Sequence, residues 1–217
     1  MSSNIMPEND AIKFHLSNIS VQQNTMNFSG FVAALRDARK FTKRHQDTGV
    51  KLTDDTCGNH GSWLGAIGYL VLLDQIGKCF KPKNVAAIGD NSISKALKYF
   101  TTLPHDQIDA LYALRNAFAH DYALYNINNA RPTYTHHFTV VQSPTQAIVI
   151  PPQIPWDGIP ANRTAANLTI VNLEALGDTT EIICGALLTH VNNNNLEVTL
   201  PGGSDELLQR YSFYAAG

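Results

Sequence analysis

The sequence predicts a mainly α protein: a helical bundle, then a smaller C-terminal α+β portion containing a β-hairpin. Three observations carry this. Apolar residues recur at steps of three and four from Phe31 to Phe118. Alternation with period two begins only after Tyr125. Apolar residues make up 44% of the 217 residues, which is enough to build a core.

Residues 1–27 read as a polar N-terminal arm, in which Ile12, Leu16 and Ile19 allow one short helix. The stretch from Met1 to Asp10 lacks a basic segment followed by an apolar run, so no signal peptide is expected. The bundle is expected over residues 28–125. Ser29 suits an N-cap, and Phe31, Leu35, Ala38 and Phe41 form the apolar face of a helix ending near Thr48–Gly49. Its other face carries Arg36, Arg39, Lys40, Lys43 and Arg44, a stripe able to track an RNA backbone or simply to face solvent.

Ser62 begins a second helix through Trp63, Ile67, Tyr69, Leu72 and Ile76 to about Phe80, where Lys81–Pro82–Lys83 breaks it. Its apolar run is too short to span a bilayer, so it reads as a core helix and no membrane association is expected. Asp90 or Asn91 caps a third helix holding Ile93, Leu97 and Phe100, closed by Pro104. Asp106 opens a fourth, with Ile108, Leu111, Leu114 and Phe118 along one side.

Residues 126–217 form the α+β extension. Residues 131–142 alternate as a strand, Ser143–Pro144–Thr145 turns the chain, and Ala147–Ile150 reads as the hairpin partner. A Pro-rich loop over 151–166 leads to a third strand at Leu168–Val171. Helical spacing returns over about 174–191, a helix able to pack back on the bundle. A short helix near Asp205–Tyr214 ends the reading.

Sixteen basic residues face eighteen acidic ones, which excludes general polyanion binding and leaves only a local basic patch. Three cysteines at long spacings argue against a disulfide framework and for a reducing, cytoplasmic setting. Cys57, His60 and Cys79 lack the second close pair a zinc site needs. His136 and His137 are adjacent, so a strand would point them to opposite faces. No Gly-rich phosphate loop is present, and neither a metal nor a cofactor is expected.

The segment Leu114–Arg115–Asn116–Ala117–Phe118–Ala119–His120–Asp121–Tyr122 concentrates the chemistry. On one helix Arg115 and His120 stand about 140° apart and about 7.5 Å along the axis. Asn116 shares a face with His120 and could orient the imidazole. A second copy across a two-fold axis would bring two such sets to one cleft. A guanidinium and an imidazole suffice to cleave RNA without a metal: the imidazole takes the 2′-hydroxyl proton, and the guanidinium stabilises the phosphorane oxygens. Tyr122 could contact phosphate or stack on a base.

Arg115–Asn116–Ala117–Phe118–Ala119–His120 resembles the signature of the HEPN superfamily of helical bundles: Arg, four to six residues, then His, with a polar residue after the Arg. With Tyr122 it is similar to the Arg-x4-His-x-Tyr form of HEPN toxins paired with nucleotidyltransferase antitoxins. The resemblance covers the helical part, under half the chain. It implies a homodimeric toxin or defence endoribonuclease with Arg115, Asn116, His120 and Tyr122 at its site. It also implies RNA as substrate, 2′,3′-cyclic phosphate products, and Tyr122 as a target for adenylylation by an antitoxin. Some HEPN proteins are non-cleaving interaction or regulatory modules, which is the alternative. A third reading makes Arg115 and His120 a link between helices.

Overall fold

Each helix forms where an apolar stripe meets a local stop signal. The computed structural model describes residues 6–17, 19–22, 25–53, 62–144 and 146–216, and among these seven α-helices dominate. None is long and apolar enough to cross a membrane.

Helix α1 (Glu8–Ser17) lies within the segment expected as an arm. Ala11, Ile12, His15 and Leu16 are its buried face, so the weak Ile12–Leu16 pattern marks a core helix. Strands β1 (Ile19–Gln22) and β2 (Thr25–Ser29) follow as an antiparallel pair. Helix α2 (Gly30–Phe41) is capped as its sequence suggests: Ser29 Oγ accepts from the N–H groups of Phe31 and Val32 at 3.2 and 3.4 Å, a cap worth about 1 kcal/mol.

Helix α2 stops at Phe41, earlier than its basic pattern suggests. Lys43 takes φ = 56°, and the chain reverses through His45 N–H to Val50 O at 2.8 Å. That turn folds Arg44 inward, where its side chain is 5% exposed.

Helix α3 (Ser62–Cys79) is the central core helix, with Tyr69, Leu72, Leu73 and Ile76 fully buried. Phe80–Pro82 then forms β3, which pairs antiparallel with β8 (Leu196–Val198) instead of ending in a plain break. Asn91 caps α4 (Ser92–Phe100) by accepting from Ser94 N–H at 2.9 Å. Pro104 precedes α5 (His105–Asp121), which has Asp106 in its first turn.

The expected hairpin between residues 131–142 and 147–150 does not form. The four-stranded sheet runs β4 (Tyr125–Asn126), β5 (His136–Val141), β7 (Leu168–Asn172), β6 (Val149–Ile150). The third strand inserts between the expected partners, parallel to β5 and antiparallel to β6. Val171 is fully buried, so β7 is the central apolar strand and takes the inner position. Tyr134 sits in a short 3-10 turn ahead of β5.

Helix α6 (Leu173–Asn192) returns to the bundle and packs on α3 and α1. Leu176, Ile183, Leu187 and Val191 are fully buried there. Helix α7 (Gly203–Tyr211) runs into β9 (Ser212–Ala216), which pairs antiparallel with β2. One apolar core runs from Ile12 to Leu207 across both expected parts of the chain.

Candidate functional site

Helix α5 owes its position to a wide apolar face. Ile108, Leu111, Leu114 and Phe118, with Ala110, Ala113 and Ala117, are all buried. What remains is an outward stripe: Tyr112, Arg115 and Asn116 half-buried, then Ala119 and His120 exposed. Steps of three and four link neighbours along this stripe, and Arg115 and His120 stand at its opposite edges. Arg115, Asn116 and His120 therefore all belong to surface reachable by solvent.

Arg115 is nevertheless engaged. Its Nη2 lies 2.5 Å from Asp74 Oδ2 on α3. Its Nη1 donates to Asn116 Oδ1 at 3.2 Å. The Nε is buried and has no hydrogen-bond partner among the described residues. The ion pair borders a groove of about 510 Å³ between α3, α4 and α5, lined also by Gln75, Lys78, Asn91 and Tyr112. None of the five basic residues around α2 reaches this groove.

The pairing of Asn116 with His120 suggested by their spacing is not made: Asn116 presents its carboxamide oxygen to Arg115. His120 stands exposed in the last turn of α5 without a hydrogen bond or ion pair among the described residues. Within one chain Arg115 turns toward the α3 groove, while His120 lies further along toward the helix end. The two groups do not converge in a single subunit.

Tyr122 ends α5. It adopts the left-handed conformation at φ = 50°, and its N–H donates to Phe118 O at 3.2 Å. Its ring lies 5.4 Å from Trp63 and 6.0 Å from Phe118, and Trp63 stacks on Phe118 at 5.3 Å. This cluster fastens the end of α5 to the start of α3, and Tyr122 remains 49% exposed.

The basic stripe is largely consumed within the chain. Arg39 grips Glu181 of α6 through Nε and Nη2 at 2.8 and 2.7 Å, and donates to the carbonyls of Gln46 and Asp47. Tyr69 donates its hydroxyl hydrogen to the same carboxylate at 2.9 Å, and burial pushes its pKa up. Arg44 Nη2 meets Asp178 at 2.7 Å, and Lys51 bridges Asp178 and Glu174. Arg36 pairs with Asp47 at 3.2 Å. Lys40 is exposed, and Lys43 lies in the turn after α2. Arg39 and Arg44 thus fix α2 and its turn to α6; they do not form an open phosphate track.

No group of side chains able to hold a metal ion occurs among the described residues. Cys57 and His60 lie outside them. Cys79 and Cys184 are buried, and burial pushes their thiols up to about 11 and about 12, so neither is a ready nucleophile. His137 bonds to Asn167 Oδ1 at 2.7 Å and His136 to Thr169 Oγ1 at 2.8 Å, so both serve the sheet.

Sequence reasoning assigned no role to Asp74 or Lys78. The available signal was isolation: they are the only Asp, Glu, Lys or Arg residues in α3. A lone acid in a core helix needs a cationic neighbour. Comparison with known proteins finds no matching family model, no matching curated protein and no matching solved structure, so function is read from the site alone.

Proposed function

We propose that the protein is a metal-independent endoribonuclease of HEPN type, a cytoplasmic toxin or defence effector that acts as a homodimer. The observation that carries this reading is the solvent-reachable side of α5, which holds a guanidinium, a carboxamide and an imidazole, with the guanidinium at the edge of a groove. The imidazole of His120 takes the 2′-hydroxyl proton, and the 2′ oxygen attacks the adjacent phosphorus. The P–O5′ bond breaks, and the 5′ oxygen takes a proton from the imidazolium of the second copy. Arg115 stabilises the charge on the non-bridging oxygens. The products carry a 2′,3′-cyclic phosphate and a free 5′-hydroxyl. Half-exposed Tyr122 is within reach of a nucleotidyltransferase antitoxin that adenylylates it.

Single-stranded RNA incubated with the protein in EDTA should be cut to cyclic-phosphate ends. His120→Ala should lower the rate by about 10²-fold or more, the usual contribution of a positioned general base. Its exposed position predicts an unchanged melting temperature. Wild-type activity in the purified His120→Ala protein, or in Arg115→Ala, refutes the assigned roles.

The Arg115–Asp74 pair favours a second reading, a non-catalytic HEPN-like interaction or regulatory module in which Arg115 joins α5 to α3. That module leaves RNA intact in EDTA and with added metal, and Arg115→Ala lowers its stability.

A further inference from the structure

We propose that Asp74 is a displaceable counter-ion. It holds Arg115 in the groove until a backbone phosphate of RNA takes its place, and the neighbouring phosphate then meets Lys78. The inference rests on the ribonuclease reading and adds the residues that admit the substrate.

Of the five arginine–carboxylate pairs among the described residues, Arg39–Glu181 and Arg115–Asp74 differ in kind. Arg39 and Glu181 meet fork to fork, with Nε and Nη2 each on its own oxygen, and their side chains are 12% and 16% exposed. That geometry is closed and structural. Arg115 and Asp74 meet through Nη2 alone, the adjacent Nε has no acceptor, and the pair is 29% and 22% exposed. A single-contact pair beside open solvent is held weakly. A phosphate diester offers two non-bridging oxygens and can take the Nη2 and Nε edge together, which the carboxylate does not do here.

The groove agrees with that exchange. Among the described residues Asp74 is its sole acid, and Arg115 and Lys78 are its bases. Lys78 is exposed and lies one turn after Asp74 on α3, about 6 Å along the helix. With Asp74 turned aside, the walls carry two positive charges and the amide and hydroxyl groups of Gln75, Asn91 and Tyr112. Those groups suit the phosphates of a polynucleotide strand, and Val71 and Tyr211 add apolar and aromatic surface to the same walls.

The test measures binding of a short 2′-O-methyl oligoribonucleotide, which lacks the attacking hydroxyl and cannot be cut. Asp74→Asn should bind about fivefold tighter than wild type, because it removes the competitor and a like charge. Its dependence of log K on log salt should steepen by about 0.7, the value of one further phosphate contact on a single strand. Asp74→Glu should bind as wild type does, and Lys78→Ala more weakly. Asp74→Asn/Arg115→Ala should bind no tighter than Arg115→Ala. Equal or weaker binding by Asp74→Asn, or a gain that survives loss of Arg115, overturns the proposal. Cleavage of unmodified RNA, assayed in parallel, separates the two failures. Wild-type cleavage with an unaltered Asp74→Asn affinity removes only the counter-ion. Absent cleavage with an Arg115-dependent gain removes the nuclease and keeps the phosphate groove.

Discussion

His15 shows how much one buried side chain can set. It is fully buried on α1, with the rings of Phe31, Phe80 and Tyr211 at 5.6, 5.8 and 5.6 Å. Ser29 Oγ and Gln75 Nε2 each stand 3.5 Å from a ring nitrogen, and no carboxylate among the described residues bonds to it. Burial lowers its pKa from 6.5 to about 4. An unfolded chain therefore takes up a proton below pH 6.5 that the folded chain refuses. Stability is complete above that pH and falls as pH drops toward 4, by about 3 kcal/mol in total from this residue. His136, lowered by burial in the same direction, adds to the slope. Chemical denaturation from pH 7 to 4.5 should show His15→Gln losing distinctly less stability than wild type; parallel curves would refute the role. The polar pattern of residues 1–27 hid this histidine. Nothing local told that rings from α2, β3 and α7 would enclose it. Arg39 and Arg44 misled for the same reason, since their acids lie 142 and 134 residues away.

Elements were legible where one face of one helix decided them. Ser29, Asn91 and the Ile108–Phe118 stripe fixed starts and faces correctly because capping and periodicity are local. The order of strands was not, because β5 and β7 pair in parallel across a long connection that no short-range pattern encodes. Helix contacts were also hidden, and the glycines of α3 and α6 give a paired prediction. A Cβ on Gly77 would fall 1.7 Å from Ser92 O and 2.7 Å from Ala96 N, both backbone atoms of α4. Gly77→Ala must push α3 and α4 apart, at a cost of about 3 kcal/mol, the upper end for overpacking. A Cβ on Gly185 would meet nothing within 4 Å. Gly185→Ala should stabilise α6 by up to about 1 kcal/mol through helix propensity. Urea titrations of both variants check the opposite signs, and a loss in Gly185→Ala would mean that this face of α6 is not open.

At the scale of the whole molecule, the change in composition after Tyr125 suggests a bundle that could be cut free, and the core predicts otherwise. Ile12 precedes that bundle, and Leu176, Ile183, Leu187 and Val191 follow it, all fully buried in the same cluster as Tyr69 and Leu72. Removing them forfeits the burial of five large apolar side chains, at about 1.5–3 kcal/mol each, and uncovers the surfaces they shield. The sum is comparable to the about 5–15 kcal/mol that stabilises an ordinary domain. The ionic layer fails with it. Without α6, Arg39 loses Glu181 and Arg44 loses Asp178, which leaves guanidinium groups against an interior that no longer neutralises them. A fragment of residues 28–125 should therefore be unfolded or molten, with poor amide dispersion and no cooperative melt. The fragment 6–216 should unfold in one transition. A sharp, cooperative melt of the shorter fragment would show that the later helix merely decorates a bundle complete without it. Arg115 would then sit in a unit that folds by itself, and the stripe on α5 would owe nothing to the return of the chain.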